Sequence, residues 1–120
     1  MHKVEDLKIW VKSIELAKSI YQIADTLPIE EKYGLTSQIK RCAISIPSNI
    51  AEGSGRNSQK EFIQFLSIAN GSAYELQTQL LLVIELQLIS EEKLKPILEK
   101  VIEIQKMNYG FQKSLKESKY

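Results

Sequence analysis

Apolar residues recur every three or four positions in four separate stretches of this chain, the spacing of helices that bury one side. In the first, Leu7, Trp10, Ile14, Ala17, Tyr21 and Ala24 form one row, with Leu16, Ile20, Ile23 and Leu27 beside it. Two rows make a face wide enough to meet two neighbouring helices. Leu27-Pro28 predicts the end, because proline disfavours a helical residue before it. The second stretch follows Tyr33-Gly34, with Leu35, Ile39, Cys42, Ala43, Ile46 and Ile50 on one face. Pro47 lies inside this pattern and lacks a backbone donor, which predicts a kink or a restart there, with Ser45 as cap. Gly53-Ser54-Gly55 closes the helix.

The third stretch opens at Ser58, which has capping-box spacing to Glu61. Phe62, Phe65, Leu66, Ala69, Ala73, Leu76, Leu80 and Val83 make its core row, and Leu81, Ile84 and Leu88 a second. Gly71 falls mid-helix, where glycine costs about 1 kcal/mol against alanine. Its presence there predicts close packing of a neighbouring helix. The fourth begins at Ser90-Glu91-Glu92, a cap followed by acids suited to the positive end of the helix dipole. Leu94, Ile97, Leu98, Val101, Ile104, Asn108, Phe111 and Leu115 continue it. Pro96 would set off a short opening turn, and Lys113, Lys116 and Lys119 suit the negative end. The predicted fold is all-α: one domain over residues 1–120, an antiparallel up-down-up-down four-helix bundle with its second helix kinked near Pro47.

Length and composition agree with that. A chain of 120 residues with 43% hydrophobic and 26% charged residues can bury a core without metal or disulfide support. The single cysteine, Cys42, forms no internal disulfide and fits a reducing cytoplasm. The polar start lacks a signal-peptide core, and the apolar run Leu80 to Ile89 is interrupted by Glu85 and Gln87 and is too short for a membrane span. The chain therefore reads as cytoplasmic.

Catalytic chemistry has little to stand on. The one histidine is His2, at the terminus, so a Ser-His-acid or Cys-His set is not expected. Glu30-Glu31 and Glu91-Glu92 are adjacent acids whose side chains diverge by about 100° on a helix, and they read as helix-start residues. No Glu-x-x-His pair for a di-iron site exists. Neither metal nor cofactor is expected. The turn Gly53 to Ser58, with Arg56 and Lys60 near, could cradle an anion; without a preceding strand or a P-loop lysine it reads as a helix–helix turn.

Net charge is +1, too balanced to imply a polyanion partner. Locally, residues 35–57 carry Lys40, Arg41 and Arg56 against Glu52, and residues 90–120 carry seven lysines against five glutamates. Lys40, Arg41, Arg56 and Lys60 would form one basic patch if the second and third helices are neighbours. That patch is either a salt-sensitive nucleic-acid surface or a solvated face. Trp10, Tyr33, Tyr74 and Tyr109 read as core or interface anchors. Ile9, Ile44, Ile63, Ile68, Leu82, Leu86, Ile89 and Ile102 exceed what four stripes can bury, which suggests self-association.

The run Tyr33-Gly34-Leu35-Thr36-Ser37-Gln38-Ile39-Lys40-Arg41-Cys42, continuing through Ser45-Ile46-Pro47-Ser48-Asn49-Ile50-Ala51-Glu52-Gly53-Ser54-Gly55-Arg56, resembles the signature of the 23S rRNA intervening-sequence protein family. Glu61 to Leu80 resembles the family's third helix, and Leu7, Trp10, Ala17 and Tyr21 fit its first. The resemblance implies a barrel-like homopentamer of four-helix protomers with no enzymatic activity. Some such proteins are encoded within insertions in bacterial 23S rRNA genes. The related accessory variability protein of diversity-generating retroelements binds nucleic acid and a reverse transcriptase. Carried over by position, Lys40, Arg41 and Arg56 become a candidate nucleic-acid surface. The chain departs from the pattern at Asn70, where many relatives carry a basic residue before Gly71-Ser72. The polar set Ser45, Ser48, Asn49, Glu52 and Arg56 reads as a buried network around Pro47 rather than a ligand site. The expected function is a homo-oligomeric adaptor that binds RNA or DNA weakly, the alternative being a scaffold for a protein partner.

Overall fold

The structure is a computed structural model and describes residues 3–117; His2 and Lys119 lie outside the described residues. Four helices carry the fold: α1 (Lys8–Ala24), α2 (Leu35–Ser54), α3 (Gln59–Glu85) and α4 (Glu91–Glu117). Short 3-10 turns precede α1 at Val4–Asp6 and α2 at Ile29–Glu31. Each helix packs on its neighbours in chain order and α1 closes against α4, so α1 and α3 stand at opposite corners. The bundle is an elongated body of 49 × 23 × 20 Å. No helix among the described residues is long and apolar enough to cross a membrane.

Caps set most of the boundaries. Ser58 Oγ accepts from the Glu61 backbone N–H at 3.1 Å, and Ser90 Oγ accepts from that of Lys93 at 3.2 Å. These bonds satisfy donors that a helix start leaves open. The end of α3 has no glycine to announce it. Gln87 takes φ 59°, and Leu88 N–H bonds Val83 O at 3.0 Å while Gln87 N–H bonds Ile84 O at 2.9 Å. That pairing is a Schellman closure built on a non-glycine residue.

Both internal prolines are accommodated without a break. α2 runs unbroken from Leu35 to Ser54 across a buried Pro47, so no new helix starts at Ser45. α4 likewise passes Pro96 in one span. Each proline removes one i to i−4 bond, and Glu92, whose carbonyl loses its partner to Pro96, is exposed to water.

Leu16, Ile20, Ile39, Ile46, Leu66, Leu76, Leu94 and Ile104 are fully buried at the centre. On α1 the core takes Leu16, Ile20 and Leu27 of one row, Ala17 and Ala24 of the other, and Ile9, while Ile14 and Tyr21 stay exposed. Leu7 and Trp10 pack against its edge. Of the surplus apolar residues, Ile9 and Ile89 are buried and Ile63 packs on the core edge. Ile44, Ile68, Leu82, Leu86 and Ile102 remain exposed.

One contact fixes how closely α2 and α3 approach. A Cβ on Gly53 would lie 2.6 Å from Phe65 Cβ and 2.9 Å from Phe62 Cδ1. Only glycine permits that crossing. Gly71 behaves otherwise than its mid-helix position predicts: a Cβ there meets nothing within 4 Å. No helix of this protomer uses the space.

Candidate functional site

The seam between α2 and α3 carries a polar network above the Gly53 crossing. The hydroxyls of Ser45 and Ser72 are bonded at 2.8 Å. Asn49 Nδ2 donates to Ser45 O at 2.8 Å and to Ser45 Oγ at 3.0 Å. Cys42 Sγ lies 3.0 Å from Ser72 O and 3.2 Å from Glu75 Oε1, both acceptors. Burial, then the hydrogen bond to Glu75, then that residue's charge, push the Cys42 thiol up from 9.0 to about 12. A thiol held protonated is neither a nucleophile nor a metal ligand at neutral pH. Of the polar set, Ser45 and Asn49 belong to this network. Ser48 is exposed and stands outside it. Glu52 pairs with Arg56 at 2.9 Å on the surface instead.

The four nominated cations do not form one patch. Lys40 sits in the first half of α2, whereas Arg56 and Lys60 flank the turn into α3. Fourteen helical steps, about 21 Å, separate Lys40 from Ser54. Lys40 Nζ is held by Asp25 Oδ1 at 2.7 Å and lies 5.0 Å from the Tyr21 ring centre. Arg56, besides its pair with Glu52, lies 4.7 Å over the Phe65 ring. Arg41 and Lys60 are exposed. Lys40 and Arg41 border a shallow groove of about 530 Å³ on the α1–α2 face with Tyr21, Lys32, Tyr33 and Ile44.

A larger groove, of about 590 Å³, opens between α3 and α4. Its walls are Ser67, Asn70, Gly71 and Tyr74 from α3 and Tyr109, Gln112, Lys113 and Lys116 from α4. Tyr74 is 54% and Tyr109 70% exposed. An amide chain runs beneath it. Ser67 Oγ donates to Gln112 Oε1 at 3.3 Å, Gln112 Nε2 to Asn108 Oδ1 at 2.6 Å, and Asn108 Nδ2 to Leu66 O at 2.9 Å. Asn70 Oδ1 is buried at the groove without a hydrogen-bond partner. No carboxylate lines the groove.

Among the described residues no group of three or more His, Cys, Asp or Glu could hold a metal ion. The recognisable likeness is to a family. The sequence profile of the 23S rRNA-intervening sequence protein matches residues 5–110. The chain belongs to that family. It is also similar, at 32% identity and a TM-score of 0.82, to the crystal structure of a protein of unknown function from the S23 ribosomal protein family of Bacteroides thetaiotaomicron. The alignment covers 88% of this chain and 98% of that one. No curated protein matches the sequence.

Within this chain, sequence reasoning overlooks the α3–α4 groove. Tyr74 and Tyr109 had read as anchors, and Lys113 and Lys116 as dipole partners. Two signals pointed to it: the lysine excess of residues 90–120, and a glycine mid-helix that no core row explains.

Proposed function

We propose that this protein acts without catalysis, as a self-associating helical bundle that assembles head to tail into a ring and holds nucleic acid. One observation carries the self-association. Apolar residues are exposed on two different sides of the protomer: Ile14, Tyr21 and Ile44 on the α1–α2 face, and Ile68 and Leu82 along outer α3 with Leu86 at its C-cap. On α3 the second group falls at heptad spacing, which sets the side chains in one line. Two unlike patches suit a heterologous contact, which closes into a ring when the rotation per subunit allows it; an isologous dimer needs only one self-complementary patch. Five subunits is the number the family resemblance implies.

The nucleic-acid part of the reading rests on the family's description as proteins of 23S rRNA intervening sequences and on exposed tyrosines standing beside lysines. A protein partner on the same apolar rows is the rival reading. Light scattering on the eluting protein separates them, with and without a structured RNA and at two salt concentrations. The expected mass is a multiple of the 13.7 kDa chain, with RNA bound at low salt and released as salt rises. Ile68→Asp with Leu82→Asp should dissociate the ring. A monomer under every condition overturns the assembly. A ring indifferent to RNA moves the function to a protein scaffold.

A further inference from the structure

We infer that the groove between α3 and α4 is a track for single-stranded nucleic acid, with bases stacking on Tyr74 and Tyr109 and phosphates meeting Lys113 and Lys116. The inference rests on the nucleic-acid reading above and adds the place and the strandedness. Four features support it.

The first is the pairing of side chains. Aromatic platforms beside cations are what a flexible, unpaired strand needs: every base has a face to stack, and every linkage carries a charge. Both tyrosines are more than half exposed, and among the described residues no cation stands over either ring. The second is charge. The groove is lined by two lysines and no acid, and neither lysine is held in an ion pair among the described residues. The wall of the α1–α2 groove also lacks an acid and holds Lys32, Lys40 and Arg41, but there Lys40 is bound to Asp25, and Lys32 and Lys40 already lie 5.5 and 5.0 Å from the Tyr33 and Tyr21 ring centres.

The third is space. Glycine is a poor helix former, yet Gly71 stands mid-helix in the groove wall with no atom within 4 Å of where its Cβ would be. Glycine there leaves the backbone open to approach from outside. The fourth is position. The apolar residues that a ring contact would cover lie on the α1–α2 face and in the Ile68–Leu82–Leu86 line of α3, whereas Tyr109, Gln112, Lys113 and Lys116 of the groove stand on α4. Duplex binding by contrast is dominated by phosphate contacts, for which buried amides and exposed aromatic rings are little use.

The test is fluorescence anisotropy with a labelled single-stranded RNA of roughly twelve nucleotides, a length within the usual site size, and the same strand annealed to its complement. The expected result is binding of the single strand, weakened at least about thirtyfold by Tyr74→Ala with Tyr109→Ala. Lys113→Gln with Lys116→Gln should lower the salt slope by about 1.4. Gly71→Glu, whose Cβ meets nothing within 4 Å and whose carboxylate puts an acid into the groove, should also abolish binding, while Arg41→Gln should leave it unchanged. If the wild-type protein binds neither strand, the nucleic-acid reading itself falls. If it binds and the groove variants bind equally well, or if Arg41→Gln alone removes binding, the groove is the wrong place and only this inference falls. Preference for the duplex overturns it as well. So does a change of native mass in the tyrosine variant, which would make the groove a subunit contact.

Discussion

The two seams of α3 are built from similar residues to opposite ends. Against α2, glycine at position 53 lets Phe62 and Phe65 press against backbone, and a network through Cys42, Ser45, Asn49 and Ser72 closes the solvent side. Against α4, glycine at position 71 faces nothing, and the amides of Asn108 and Gln112 lie under an open groove with tyrosines on its rim. Residue type alone therefore does not say whether a glycine or a buried amide belongs to a closed contact. The nearest neighbouring atom does.

Gly53→Ala should break the comparison hardest. The new Cβ would fall on Phe65 Cβ, an atom that cannot swing aside because it is fixed to the backbone. Overpacking of this kind costs typically 1–3 kcal/mol, and the upper end, about 3 kcal/mol, is expected here. The urea midpoint reports it. A loss under about 0.5 kcal/mol would mean that the α2–α3 crossing relaxes freely.

Asn108→Ala comes next, in the other seam. Asn108 is fully buried and bonds both Leu66 O and Gln112 Nε2. Its loss strands polar groups and leaves a small void, a destabilisation of about 2 kcal/mol. An unchanged midpoint would show that water from the groove takes over the bonds.

The Cys42 thiol gives the closed seam a pH signature. Its proton is held to about 12 in the folded chain against 9.0 in the unfolded. Below pH 9 both states keep the proton and nothing changes. From about 9 toward 12 the unfolded chain releases it first, so stability falls as pH rises, by at most about 1.4 kcal/mol per pH unit. The measurement is the difference between wild type and Cys42→Ser. Equal slopes for the two would show that the thiol is not held.

Much of this was legible in the chain. The four helices follow from apolar period, and the starts at Ser58 and Ser90 follow from hydroxyls placed ahead of acids. The closing of α2 followed from Gly53-Ser54-Gly55, though Gly53 was read as punctuation and turns out to be a contact. Period names the side of a helix that is apolar; it does not say how near the next helix comes. That is why Gly71 was expected to admit a neighbour and Tyr109 to be an anchor. The single basic patch failed for a related reason. Neighbouring helices share a side but not a height, and the thirteen residues between Lys40 and Ser54 set the cations at opposite ends. The α3 terminus at Gln87 was hidden because a left-handed cap without glycine or asparagine has no sequence mark.

Gly71→Ala carries the smallest change and divides the two seams most cleanly. Glycine in a helix interior is less favourable than alanine by about 0.8–1.0 kcal/mol, and at position 71 the added methyl meets nothing in the protomer. The folded chain should therefore gain nearly the whole difference, the opposite sign from Gly53→Ala. If the melt instead shows a loss, a neighbouring subunit must occupy the space, and the cost should then fade on dilution as the assembly dissociates. If the gain appears and single-stranded RNA binds less tightly, the glycine is kept against its own helix for the sake of what enters the groove.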